Sequence, residues 1–319
     1  MNTFSGSVVF LCSILISSVA SAAVSAYPNK PIRLIVPFAA GGNTDIFART
    51  IAPVIGEQWG QQIVVDNRGG AGGVLGTSIA AGASPDGYTL LFVSGSHVVN
   101  PSVQKNLPYD AVKDFAPISL VVDVANLLVA HPSVPAKSIP VLIDLAKASS
   151  GKLNYGSSGT GTFAHLAFAS FNRMSGIEIQ HIPYKGNGPA TVALLGGQVQ
   201  FMMGAQPAAM PHVRAKRLIP LGITSSKRSP QLPEISAISE FLPGYEFTQG
   251  FGILAPAGTP QAVVMKINKK IVEVLNMAEV RKSFINQGAN PTTNSPAEYA
   301  KYIREEISKL AKVVKEAGV

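Results

Sequence analysis

The sequence predicts an α/β fold in two lobes with a ligand cleft between them, and three observations carry that expectation. The first is a strand–loop–helix unit near the start. Ile32 to Val36 is a short β-branched apolar run ended by Pro37, Pro37 to Gly42 is a small-residue loop, and a helix follows. The second is a later copy of the design: a strand at Lys152 to Tyr155, a loop from Gly156 to Gly161, and an apolar helix from Thr162 to Phe171. The third is a strand at Phe247 to Ala255, arriving after the second unit and returning the chain to its first lobe. Lobe one then holds residues 27–125 and 248–319, and lobe two holds 126–247.

Taken in order, the chain opens with a secretory signal peptide over residues 1–26. Val8 to Ile16 is apolar but too short to span a bilayer comfortably, and small residues follow, with cleavage expected near Ala22 or Ala26. Such a leader predicts export to the periplasm. In the first unit, Gly41 and Gly42 allow positive φ and close backbone approach, Asn43 or Thr44 can cap the helix, and Asp45 lies in its first turn. The helix runs to about Gln58, with Pro53 expected to kink it.

A strand at Gln62 to Val65, a glycine-rich turn, and a small-residue helix from Val74 to Ala83 come next. Tyr88 to Val93 is a buried strand closing on Ser94-Gly-Ser-His97, and Asp114 to Ala130 reads as strands. Lobe two carries helices at Ser138 to Ala148, Gly188 to Leu195 and Pro207 to Ala215, with strands at Glu178 to Ile182, Gln198 to Met203 and Ile219 to Thr224. Ser225 to Tyr245 is rich in turns. Thr259-Pro260 predicts a helix start with Thr259 as cap, and Ser295-Pro-Ala-Glu298 is a capping box opening the last helix, which Gly318 ends.

Composition narrows the function. Hydrophobic residues at 46% and charged residues at 14% exclude a disordered chain. The only cysteine, Cys12, lies in the leader, so an exported mature protein has neither disulfides nor a thiol nucleophile. The net charge of +8 comes from scattered Lys and Arg with no aromatic-interleaved block, which argues against nucleic acid and leaves small anions as partners.

Enzymatic motifs fail on spacing. In Gly70-Ala-Gly72-Gly-Val-Leu-Gly76 the third dinucleotide glycine is displaced by Leu75, and no acid follows at the required distance. A nucleophile elbow centred on Ser158 would need glycine where Thr160 stands, and His165, His181 and His212 sit in apolar or turn contexts. Neither a Walker motif nor metal-ligand histidine spacing occurs, so no cofactor and no metal are expected. Both glycine loops precede helices, whose N-termini are ready anion sites, and neither loop contains Lys or Arg.

A set of motifs then resembles one family. Tyr27-Pro28-x-Lys30-Pro31-Ile32, Gly41-Gly42-x-x-Asp45, Asn67-Arg68-x-Gly70-Ala71-Gly72-Gly73 and Pro85-Asp86-Gly87-Tyr88-Thr89 resemble the Bug, or TctC-like, receptors of tripartite tricarboxylate transporters. So do His181-x-Pro183-Tyr184-Lys185-Gly186, Leu195-Gly196-Gly197-Gln198-Val199 and Leu254-Ala255-Pro256-Ala257-Gly258-Thr259-Pro260.

The resemblance implies a type II periplasmic binding protein, acting as a monomer, that closes on a small carboxylate and delivers it to an inner-membrane permease. One carboxylate would be held by backbone amides and waters from two loops. Candidate residues on the first are Phe38, Ala39, Gly41, Gly42, Asn43 and Asp45; on the second they are Ser157, Ser158, Gly159, Thr160 and Gly161. Ser94, Tyr184 and Gln206 complete the set. Departures from the family at Gln200 and at Gly204-Ala205, where acids are common, imply a pocket less suited to an amino group. A ligand sensor for a membrane kinase would use the same closure, and an exported hydrolase is the reading of a third class.

Overall fold

One strand runs through both halves of the molecule and positions everything else. The computed structural model describes residues 27–149 and 151–319. The leader, with Cys12 and the cleavage positions at Ala22 and Ala26, lies outside them.

In chain order the elements are β1 (Ile32–Val36), α1 (Asn43–Trp59), β2 (Ile63–Asn67), α2 (Val74–Ala81), β3 (Thr89–Val93), α3 (Ser96–Val103) and β4 (Phe115–Ala130). There follow α4 (Ile139–Ala148), β5 (Asn154–Ser157), α5 (Phe163–Ser175), β6 (Gln180–Pro183), α6 (Asn187–Leu195), β7 (Phe201–Ala205), α7 (Gln206–Arg214) and β8 (Ile219–Ile223). The chain ends with β9 (Thr248–Pro256), α8 (Gln261–Leu275), α9 (Ala278–Asn286), β10 (Asn290–Pro291) and α10 (Pro296–Ala317).

The strand order is β2-β1-β3-β9-β4-β7-β5-β6, with β8 and β10 also paired to β4. β1, β2 and β3 are parallel, as the intervening helices require. β4 is the long element, at 16 residues. Its Phe115–Ala125 portion pairs antiparallel with β9, and its Asn126–Ala130 portion pairs with β7 and β8. The partner exchange between Ala125 and Asn126 turns one continuous strand into a member of two sheets.

The second crossing is tied to the first there. Thr224 Oγ1 accepts from Asn126 N–H at 2.8 Å and donates to the Phe247 carbonyl. Phe247 N–H donates to Thr224 O, and Gln249 Nε2 donates to Asn126 Oδ1 at 3.0 Å.

Burial follows helical periodicity. In α1 the i, i+4, i+8 row Phe47, Ile51 and Ile55 is buried against β1, β3 and α8, while Gly60 closes the helix at φ 63. A second group of buried residues joins α3, α5 and α10, and α10 packs on both of those helices. The capping box at its start is formed: Ser295 N–H reaches Glu298 Oε2 at 2.7 Å, and Glu298 N–H reaches Ser295 Oγ at 3.2 Å.

Several expectations need correcting. The N-cap of α1 is Gly42, with no side-chain cap bond, so neither Asn43 nor Thr44 caps it; both are already helical. Gly42 has an ordinary φ of −86, and only Gly41, at 77, is left-handed. The cap of α8 is Pro260; Thr259 Oγ1 instead donates to Pro256 O at 2.8 Å, closing the turn before the helix. Gly156 lies inside β5 rather than in the loop. Pro53 is inside α1, which continues through it to Trp59. Helices α3 and α9 and the short strand β10 were not predicted.

Candidate functional site

The two glycine loops face each other, and behind them lies a small, partly open pocket with about 320 Å³ of space that includes open solvent. Gly42, Asn43 and Thr44, the start of α1, line one wall; Ser158, Phe163 and Ala164, at the start of α5, line the opposite one. Ser94 and Ser96 come from the end of β3 and the start of α3, and Gln249 and Phe251 from the crossing strand β9. Phe38 and Asn187 complete the lining. No ionisable side chain is among these residues.

Two helix N-termini therefore converge on one space. Each brings first-turn N–H groups without intrahelical acceptors and the positive end of its dipole. On α5, Phe163 N–H donates to Ser96 Oγ at 3.2 Å, and Thr162 Oγ1 faces His165 N–H at 3.5 Å. Thr44 and Ala164 occupy first-turn positions on the cavity wall, where helix geometry aims their amides along the axis into it.

The loops themselves are held by their own donors. Gly41 N–H donates to Asp45 Oδ2 at 2.9 Å, and Ala39 N–H to Lys185 O at 3.2 Å. Asn67 Nδ2 donates to both Phe38 O and Asp45 Oδ1, each at 3.0 Å, and Arg49 Nε donates to Asp45 Oδ1 at 2.8 Å. Asp45 is thus a buried carboxylate with three partners, and it fixes the first loop from behind.

The second loop is fixed by histidines and hydroxyls. Gly159 N–H donates to Ser157 Oγ at 3.0 Å, Gly161 N–H to His165 Nδ1 at 3.1 Å, and Thr162 N–H to Gly159 O at 3.3 Å. Gly159 sits at φ 134, which a side chain would strain. His165 and His181 stack at 3.9 Å. Burial pushes the His165 imidazole down to about 4; burial, then repulsion from His165, takes His181 to about 3. Both are neutral at neutral pH, as an imidazole accepting from Gly161 must be.

Of the sequence-derived candidates, the structure places Phe38, Gly42, Asn43, Ser94 and Ser158 on the cavity wall. Ala39, Gly41, Asp45, Ser157 and Gly161 support the loops. Gly159, Thr160 and Tyr184 line an outer groove with Lys185 and Gly72. Gln206 starts α7, buried against Gly288 and away from the cavity. Gln200 receives Asn154 N–H at 2.9 Å and does not reach the cavity either, so the departure there says nothing about this pocket.

Thr44, Ser96, Phe163, Ala164, Asn187, Gln249 and Phe251 line the cavity without having been singled out for it. For Ser96 and Gln249 a signal existed: polar residues at the end of a buried strand and within an apolar crossing strand.

A catalytic reading finds no support in this geometry. Ser157 Oγ lies 2.6 Å from His181 Nε2, yet Ser157 is fully buried and its oxygen also accepts from Gly159. Ser158 Oγ donates to Thr162 Oγ1 at 3.0 Å. No group of three His, Cys, Asp or Glu able to hold a metal occurs among the described residues, and no described helix is long and apolar enough to cross a membrane.

The sequence pattern of the tripartite tricarboxylate transporter family receptor matches residues 47–319. This chain belongs to that family. It is 39% identical over 295 residues to the protein BugT of Bordetella pertussis strain Tohama I, covering 92% of this chain and 90% of the relative. A solved R. palustris protein with adipate is similar at a TM-score of 0.89 and 36% identity, covering 92% of this chain and 98% of that one. MatC from Rhodopseudomonas palustris with bound malate gives 0.86 and 32%, covering 90% and 100%. The TctC receptors are periplasmic solute-binding proteins rather than enzymes, and the two-lobed α/β architecture here is theirs.

Proposed function

We propose that this TctC-family chain is an exported receptor that binds a small carboxylate between its lobes and delivers it, as a monomer, to a tripartite tricarboxylate-type permease in the inner membrane. The observation that carries the reading is the convergence of the α1 and α5 N-termini on a cavity lined by no ionisable side chain. An anion there meets amides and hydroxyls, so its carboxylate is held without an ion pair. Three charge-assisted bonds at roughly 1.5–3 kcal/mol each supply about 5–9 kcal/mol before ordering. Micromolar affinity requires about 8 kcal/mol. The relatives solved with adipate and with malate support a small carboxylate as the ligand class.

The lobes are taken as 27–125 with 248–319, and 126–247, hinged where β4 changes partner. Residues 1–26 are taken as the signal peptide; periplasmic protein still beginning at Met1 would contradict that. The ligand class is tested by calorimetric and thermal-shift titration against mono-, di- and tricarboxylates and their methyl esters. At least one free acid should bind while its ester does not. Equal binding of acid and ester, or no binding of any acid, would contradict the proposal.

A further inference from the structure

The mouth of the cleft is shut by main chain meeting main chain. Ala39 N–H donates across the seam to Lys185 O at 3.2 Å, and the start of α6 sits beneath the Ala39–Gly42 loop. A Cβ placed on Gly188 would lie 2.6 Å from the Ala40 carbonyl oxygen and 3.4 Å from both Gly41 C and Gly42 N. All three atoms belong to the facing loop and all are backbone, so none can rotate away as a side-chain end would. Gly188 lies in the first turn of α6 with no left-handed φ, and it does not line the cavity. Its own backbone conformation therefore does not demand glycine, apart from the restriction that the following Pro189 places on it.

We propose that Gly188 sets whether the cleft can close, and so determines ligand affinity without touching the ligand. With the lobes together, a methyl at this position is excluded by the Ala40 carbonyl. With them apart it meets nothing from the other lobe. Adding that methyl should hold the receptor open, and affinity scales with the fraction of molecules able to close. The inference rests on the receptor reading above and goes beyond it.

The test compares Pro189→Ala with the double variant Gly188→Ala/Pro189→Ala, which lifts the pre-proline restriction, and uses Gly196→Ala at the far end of α6 as a control. Gly196 faces only its own helix. Spin labels are placed at Leu75→Cys and Val192→Cys, exposed by 51% and 70% on either side of the seam, in a Cys12→Ser background. Distance distributions are recorded with and without adipate as probe. The short interlobe distance should be present in wild type, Pro189→Ala and Gly196→Ala and lost in the double variant, whose adipate affinity should fall roughly tenfold or more. A short distance retained in the double variant, or affinity equal to that of Pro189→Ala, would overturn the proposal. If wild type bound no carboxylate, the receptor reading would fall, and the ligand-free distances would still judge Gly188. A wild type showing only the long distance in every condition would overturn both.

Discussion

Replacing Asp45 with alanine should loosen the first glycine loop more than any single change to a cavity-facing side chain. The carboxylate accepts from Gly41 N–H at 2.9 Å, Asn67 Nδ2 at 3.0 Å and Arg49 Nε at 2.8 Å, and its side chain is 5% exposed. The first two are hydrogen bonds to a buried charged acceptor, worth about 1.5–3 kcal/mol each. The Arg49 pair is half exposed on the cation's side and adds about 0.2–1 kcal/mol after screening.

Asp45→Ala should therefore cost about 3–7 kcal/mol, a large share of the roughly 5–15 kcal/mol that holds a typical fold. Asp45→Asn keeps one acceptor oxygen and should fall between wild type and Asp45→Ala. Urea unfolding gives the stability change, and titration of the folded fraction gives the affinity. Since the loop presents the α1 N-terminus, binding should weaken in the same order. If Asp45→Ala unfolded within about 0.5 kcal/mol of wild type and bound normally, the network behind the loop would not be what holds it.

Other expectations follow from the same geometry. Thr224→Val keeps the shape of the crossing clasp but removes the acceptor for Asn126 N–H and the donor to Phe247 O; unfolding should show a loss of about 2–4 kcal/mol, and no loss would contradict the clasp. His97 is buried with Nε2 donating to Ala111 O at 2.9 Å, and burial pushes it down to about 4 from 6.5. Its folded pKa lies below its unfolded one, so its stabilising contribution is complete above pH 6.5 and is lost as pH falls toward 4. Between pH 6.5 and about 4.5 the His97 share of the loss should reach about 2 kcal/mol, His97→Gln should reduce the total fall by that amount with His165 and His181 still contributing, and parallel curves would contradict the assignment. Ser158→Ala removes one cavity hydroxyl and should weaken binding by about 0.5–1.5 kcal/mol in calorimetry; abolished binding would make that hydroxyl the anchor.

Much of the architecture was legible because it is written locally. Ile32–Val36 followed by Pro37, the Ser295/Glu298 box and Gly318 are short-range signals, and they mark elements where the structure has them. Helix α3 was not legible: its eight residues follow Ser94-Gly95, which with Ser96 reads as a turn, and Pro101 interrupts its pattern. Its helical state comes from packing on α10.

The site divides in the same way. The glycine loops before helices were legible, and the pocket walls they form contain Gly42 and Ser158. Asp45, His165 and Ser157 engage loop amides only two to four residues away, but what holds their side chains in place was not written locally. It depends on Asn67 and His181, brought in by neighbouring strands. The placement of Gln249 on the wall and of Gly188 against Ala40 depends on how the two lobes face each other, which no window of sequence contains.

The central claim is that a carboxylate is held by backbone and hydroxyl donors, with no cationic side chain as anchor. Its most direct test is calorimetric titration, with a carboxylate that wild type binds, of Lys185→Ala against Gly159→Val, each first shown to fold. Lys185 is an exposed cation that lines the outer groove beside Gly159 and Thr160, and Gly159 has a positive φ. Lys185→Ala should stay within roughly threefold of wild type, its effect confined to the association rate and its salt dependence. Gly159→Val should lose most of the affinity, because it displaces the donors together. Binding abolished by Lys185→Ala and intact in Gly159→Val would make an ion pair the anchor and contradict the account.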